Sequence, residues 1–138
     1  MEKMLLSVSA ILLMSFAVFA QTSEKQAIEQ TIQTYFDGWM TGDTTKVGKA
    51  MHTTCHLKVY RNNTFHNIDR NQYLSGFKPH PKEEGVFGHI KMIDYEGNIA
   101  SAKCEIETPK AVFTDYFNLM KIEQTWYIVD KVSTRKDK

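Results

Sequence analysis

Phe113-Thr114-Asp115-Tyr116-Phe117-Asn118-Leu119-Met120-Lys121-Ile122, a polar Glu123-Gln124 break, and Thr125-Trp126-Tyr127-Ile128-Val129-Asp130-Lys131-Val132 form the stretch that decides the fold. Both runs are rich in aromatic and β-branched residues, which suit a pleated, half-buried surface. Two such runs about a short polar turn predict an antiparallel hairpin. Strand alternation puts Asp115 on the same face as Phe113 and Phe117. A carboxylate among aromatics is costly unless it is hydrogen-bonded, protonated or lining a cavity. The hairpin therefore implies a sheet that walls a cavity.

Outward from that hairpin, Pro109 interrupts the chain. Before it, Val86 to Glu96 and Ile99 to Thr108 read as two strands about a Gly97-Asn98 turn. Lys78 to Gly85, carrying Pro79 and Pro81, is a surface loop. Asp69 caps a helix over Arg70 to Phe77, with Gln72 in the capping-box position. Cys55 to Arg61 and Thr64 to Ile68 are strands joined by the Asn62-Asn63 turn. Further back, Ala27, Ile28, Thr31, Ile32, Tyr35, Phe36, Trp39 and Met40 recur at three- and four-residue steps, an amphipathic helix opened by a Ser23-to-Gln26 capping box. Gly42 ends it, and Asp43 caps a second, shorter helix through Val47, Ala50 and Met51. Two helices, a hairpin, a helix and a four-strand meander make an α+β fold with the helices packed on one sheet face.

The 138 residues, 42% hydrophobic and 12% aromatic, suffice for one real core. A net charge of +1 leaves no basic stripe for nucleic acid, and Arg135 to Lys138 reads as a solvated charged end. Lys3, the apolar run from Met4 to Phe19 and the Ala17-Val18-Phe19-Ala20 close read as a secretory signal. Residues 1–20 would be cleaved, leaving 21–138 as one secreted or periplasmic domain with no membrane association. Export permits a bridge between Cys55 and Cys104. Each also sits in an apolar alternation that suits an inward free thiol, and free thiols are the expectation. No His or Cys shows ligand spacing, so neither a metal nor a cofactor is expected.

Three local patterns carry a resemblance: Tyr35-Phe36-Asp37-Gly38 with Gly42-Asp43; Ala50-Met51-His52; and Asp115-Tyr116-Phe117 with Trp126 to Lys131. In this order and spacing the chain resembles the nuclear transport factor 2-like superfamily, which includes ketosteroid isomerase and polyketide cyclases. Within it the chain is similar to the small exported proteins of the putative lumazine-binding family. The resemblance implies a cone-shaped, curved antiparallel sheet with three N-terminal helices on its concave face. In ketosteroid isomerase-like members a first-helix tyrosine and a protonated late-strand aspartic acid form an oxyanion hole. Tyr35 and Asp115 stand at the matching places. The carboxylate base of those members has no match, because the region that would supply it reads Leu57-Lys58-Val59-Tyr60.

The residues leave a sharp and a bland role open for each candidate. Tyr35 is a pocket donor or a core tyrosine. Asp115 is a functional acid or a structural one accepting from backbone or from Lys131. His52 is a base at the cavity mouth or a partner for a helix C-terminus. Trp39 is a core aromatic or a stacking surface. Taking Tyr35, Trp39, His52 and Asp115 as ligand-binding residues, the expectation is an exported protein that binds a small, flat, partly polar molecule without catalysis. The alternative is an isomerase, dehydratase or cyclase with His52 as base and Tyr35 and Asp115 as donors. Large residues on both faces of the last hairpin also predict a homodimer through the outer sheet face.

Overall fold

The computed structural model describes residues 23–138; the signal-peptide reading and the Gln21 boundary lie outside them. Helix α1 runs over 23–41 and buries Ile28, Ile32, Tyr35, Phe36 and Met40, the face that the three-and-four spacing predicts. Both glycines of the Gly38 and Gly42 pattern have a physical cause. A Cβ on Gly38 would lie 2.6 Å from the Val47 backbone nitrogen, so α1 and α2 (Thr44–Ala50) meet where only glycine fits. Gly42 has φ +64, and its Cβ would lie 1.9 Å from the Lys78 carbonyl oxygen. Asp43 caps α2 as expected, its carboxylate accepting from the backbone N–H groups of Thr45 and Lys46 at 2.9 and 3.1 Å.

Strands β1 (Met51–Arg61) and β2 (Thr64–Asp69) form the first hairpin, followed by α3 (Arg70–Ser75). Then come β3 (Phe87–Glu96), β4 (Ile99–Glu107), β5 (Ala111–Ile122) and β6 (Thr125–Asp137). They make one curved, unclosed six-stranded sheet in the order β2-β1-β6-β5-β4-β3. The meander from β3 to β6 is antiparallel throughout, but β1 and β6 run parallel, so the sheet is mixed where an antiparallel one was expected. No hairpin links β1 to β6, so nothing in their connection forces them antiparallel.

Two element ends differ from the sequence reading by four residues or more, while α3 stops two residues early at Ser75 and β5 starts two early at Ala111. β1 begins at Met51, four residues before Cys55, because Met51 to Thr54 are already strand. β6 continues past Val132 to Asp137, and Phe113, Val112 and Ala111 pair with Arg135, Lys136 and Asp137. The charged end is thus the last part of a strand. Polar side chains on both faces hid it, since the ladder there is held by backbone.

Helix α1 is tied across the β5–β6 hairpin. Lys121 Nζ and Trp126 Nε1 donate to the two Glu24 carboxylate oxygens at 2.6 and 2.8 Å, and those bonds hold the Glu24 carboxyl below its usual range. The Thr31 hydroxyl donates to the Trp126 carbonyl at 3.1 Å. One face of the sheet, including Cys104, Ile106, Phe117, Leu119, Trp126 and Ile128, packs on the helices as the core. Cys55 and Cys104 are free and buried in it. Burial pushes both thiols up to about 12, with Asp130 near Cys55 and Asp115 near Cys104 adding to it. Such thiols stay protonated at neutral pH and are inert.

A β-bulge sets the chemistry of the site. Leu119 pairs with Ile128 but Asn118 pairs with Asp130, so Val129 is an extra residue on β6. Trp126 and Ile128 face the core, and simple alternation would turn Asp130 inward next. The extra residue shifts the phase by one, and Lys131 points in instead, 3% exposed. Asp130 turns away and pairs with Lys58.

Candidate functional site

Five side chains from four elements meet on the core side of the bulge. Asp115 of β5 and Lys131 of β6 are the buried charged residues of the described core, 1% and 3% exposed. Lys131 Nζ lies 3.3 Å from Asp115 Oδ2. The Ser133 hydroxyl donates to Asp115 Oδ1 at 2.5 Å, across the β5–β6 ladder where these two residues are register partners. Lys131 also donates to the hydroxyls of Tyr35 on α1 and Tyr73 on α3, the latter at 3.1 Å. The two hydroxyls are 2.7 Å apart. Among the described residues no buried side-chain nitrogen or oxygen is left without a partner.

Burial pulls the Lys131 ammonium down, but Tyr73 and Asp115 more than offset it, and its value ends above the usual lysine range. Lys131 is therefore a stable cation and no candidate for a neutral nucleophilic amine. Burial drives the Tyr35 phenol well above its ordinary value, with Tyr73 and Asp115 adding to the rise. Tyr35 holds its proton.

This cluster closes the inner end of a cavity of about 620 Å³. Trp39, Leu57, Val59 and Phe113 give it apolar walls, Tyr73, Lys131 and Ser133 a polar floor, and Tyr60, Arg61, Asn62 and Arg135 a mouth. Trp39 and Phe113 meet edge to face, with ring centroids 5.2 Å apart. The lining includes one carboxylate, Asp137, which Arg135 engages at 2.8 Å. A hollow of similar size between Thr41–Thr45 and Pro79–His80 is a shallow loop surface without a buried charge.

The structure brings three of the four candidates named from sequence to this place. Trp39 lines the cavity. Tyr35 and Asp115 lie one layer behind the surface, joined to it through Lys131. His52 lies elsewhere. Its neighbour Met51 is buried, so His52 points to the opposite face of β1, where its ring meets Tyr127 at 5.6 Å. The Thr54 backbone N–H donates to its Nδ1 at 3.3 Å. Leu57 and Val59 face the cavity where a base would stand, and Lys58 faces away to Asp130.

Two central residues escaped the sequence reading. Lys131 surfaced only as a partner for Asp115, since alternation from Trp126 and Ile128 gives it the wrong face. Tyr73 gave no signal on its short helix. Its aromatic neighbour Phe77 four residues on, now edge to face at 5.0 Å, hinted at a buried side of that helix. Among the described residues, no cluster of His, Cys, Asp and Glu is placed to hold a metal ion, and no helix is long and apolar enough to cross a membrane.

The sheet, the helices laid on it and the cavity between them define a nuclear transport factor 2-like protein. The profile of the putative lumazine-binding family matches residues 23–133, and the chain belongs to that family. Among solved structures, it is similar to a nuclear transport factor 2-like protein of unknown function from Shewanella baltica. That match has 25% identity and a TM-score of 0.74, covering 83% of this chain and 95% of that one. A nuclear transport factor 2-like protein of unknown function from Silicibacter pomeroyi matches with 18% identity, TM-score 0.74, and 84% and 98% coverage. A ketosteroid isomerase-like protein from Erwinia carotovora atroseptica matches with 14% identity, TM-score 0.61, and 80% and 94% coverage. The last two likenesses are of fold alone. A comparison with curated proteins gave no match.

Proposed function

We propose that this is a small-molecule-binding protein that holds a flat, partly polar organic molecule in the cavity and does not transform it. The observation that carries the reading is the cavity's make-up: apolar walls, a convergent polar floor, and among the lining residues no histidine and no carboxylate free of an ion pair. Proton abstraction beside a carbonyl needs a base within about 3 Å of the carbon acid. His52 is on the other sheet face, and the one lining carboxylate is held by Arg135. The family's description names lumazine, a flat bicyclic dione, and a flat ring with polar edges is the kind of molecule that apolar walls such as Trp39 and Phe113 over a polar floor would take. We read the working protein as the exported chain from Gln21, on the strength of the leader-like first twenty residues; N-terminal sequencing of protein from its own host checks this.

Native mass spectrometry of protein purified from that host tests the binder reading, followed by titration of the released molecule and of lumazine. The expected result is a stoichiometric ligand that returns chemically unchanged, with binding that survives His52→Ala. Turnover of an enone or hydroxyketone by wild type but not by His52→Ala would overturn it in favour of an enzyme.

A further inference from the structure

The hydrogen bonds on the cavity floor have a direction that can be counted. A lysine ammonium has three N–H donors and accepts nothing. Lys131 has three partners: the Tyr35 hydroxyl, the Tyr73 hydroxyl and Asp115 Oδ2. Both phenol oxygens therefore receive a hydrogen bond from the cation, and both phenol protons must go elsewhere. Tyr35 is fully buried, and besides Lys131 its hydroxyl has the Tyr73 oxygen as its one polar partner among the described residues. Tyr35 thus donates to Tyr73. The Tyr73 oxygen then accepts twice, and its own proton has no acceptor among the described residues. Tyr73 is half-buried and lines the cavity, so that proton is presented to the cavity.

The charges around it lean the same way. Asp115 balances Lys131, and Asp137 balances Arg135. Arg61, also in the lining, makes no ion pair among the described residues and leaves one positive charge over at the mouth. An O–H whose oxygen already accepts two bonds, one from a cation, is a strengthened donor. The best acceptor for such a donor is an oxyanion.

We propose that the Tyr73 hydroxyl is the ligand-anchoring donor of the cavity, and that the ligand is an organic anion on a flat ring, a phenolate, enolate or carboxylate, with its charged oxygen on Tyr73. This rests on the cavity being the ligand site. Lys131 and Tyr35 are positioning residues here, since they act on the ligand through Tyr73. Arg61 adds long-range attraction at the entrance.

The test uses the full mature chain with 4-nitrophenol and its methyl ether, 4-nitroanisole, which has the same ring and no ionisable oxygen. At pH 8 the phenol should bind about tenfold or more tightly than the ether, and the ionisation midpoint of bound 4-nitrophenol, read from its absorbance, should fall by about one unit or more. Tyr73→Phe should remove most of that preference, and Arg61→Gln should weaken phenolate binding about three- to fivefold and raise the bound midpoint by about half a unit, since attraction for the charged form alone moves both together. The midpoint shift in unmodified protein needs no variant, so a poorly folded Tyr73→Phe does not decide the matter. Equal binding of phenol and ether, with an unshifted midpoint, overturns the anion assignment and leaves the binder reading standing. A full midpoint shift in folded Tyr73→Phe overturns the role of Tyr73. Failure of both probes to bind folded protein overturns the proposal together with the cavity as a ligand site.

Discussion

Lys131→Met tests the organisation of the site most directly. The substitution keeps a long, flexible side chain but removes the ammonium that balances Asp115, which is 1% exposed. Asp115 is left with the Ser133 hydroxyl as its side-chain partner, and a charge stranded in a core typically costs about 3–5 kcal/mol. Asp115→Val strands the lysine instead and should cost a similar amount, near 3–5 kcal/mol. The double variant removes both charges and fills the space with apolar atoms. Its residual cost is an unbonded Ser133 hydroxyl and a Tyr35–Tyr73 pair without its cation, about 1–3 kcal/mol. The two single losses therefore overlap by roughly 3 kcal/mol or more, a coupling visible against a total stability of about 5–15 kcal/mol. Urea unfolding at pH 7, followed by the fluorescence of buried Trp126, measures all four proteins. Single losses below about 1 kcal/mol, or a double variant equal to the sum of the singles, would refute the view that this pair organises the cavity floor.

Three further outcomes are expected. Stability should fall as pH rises from about 9, because the native state keeps thiol protons that the unfolded chain releases at its ordinary value of 9.0; the slope is about 1.4 kcal/mol per pH unit for each thiol. The Lys131 contribution is fully present below the usual lysine value of 10.5 and is lost only above it, through its raised native value, so the first loss belongs to the thiols. Chemical unfolding between pH 8 and 10 measures the slope, which Cys104→Ala should roughly halve; a flat profile would contradict the burial argument. Thiol labelling without reductant should find no reactive group in native protein and both Cys55 and Cys104 after unfolding. Light scattering should find a homodimer through the outer sheet face, where Tyr116 and Val132 are register partners, 52% and 50% exposed, and Tyr116→Lys should leave monomer.

Much of the fold was legible because its signals are local. The α1 face follows from spacing, the α2 and α3 starts from Asp43 and Asp69, and the hairpins from short polar turns. The parallel β1–β6 pairing was not, since no turn or spacing connects the two strands. For the site, Asp115 was marked by its aromatic neighbours and Tyr35 and Trp39 by the helix face. The resemblance then suggested that Tyr35 and Asp115 meet the ligand themselves. They stand behind Lys131 and Tyr73 instead. What hid Lys131 was one extra residue at Val129, which reverses inside and outside without changing composition or period. His52 read as a site residue because a helix end and a cavity mouth were expected together. The chain is already strand by Met51, and the strand turns His52 away.

The side-by-side placement of β1 and β6 also constrains how the protein comes into being. Lys58 and Asp130, paired across that seam, are 72 residues apart in the chain, and Tyr35 and Lys131 are 96 apart. Every other strand must be made before β6 can slot against β1, so the floor of the cavity is assembled last. Contacts this distant in sequence are entropically slow to form. Until β6 arrives, Tyr35 and Asp115 have no cation between them, and the edge of β1 presents unpaired N–H and C=O groups on that side. For a chain synthesised from its N-terminus, a half-made copy has the walls of the cavity without its charge. The charged floor of the cavity therefore exists only once β6 has been made and placed between β1 and β5.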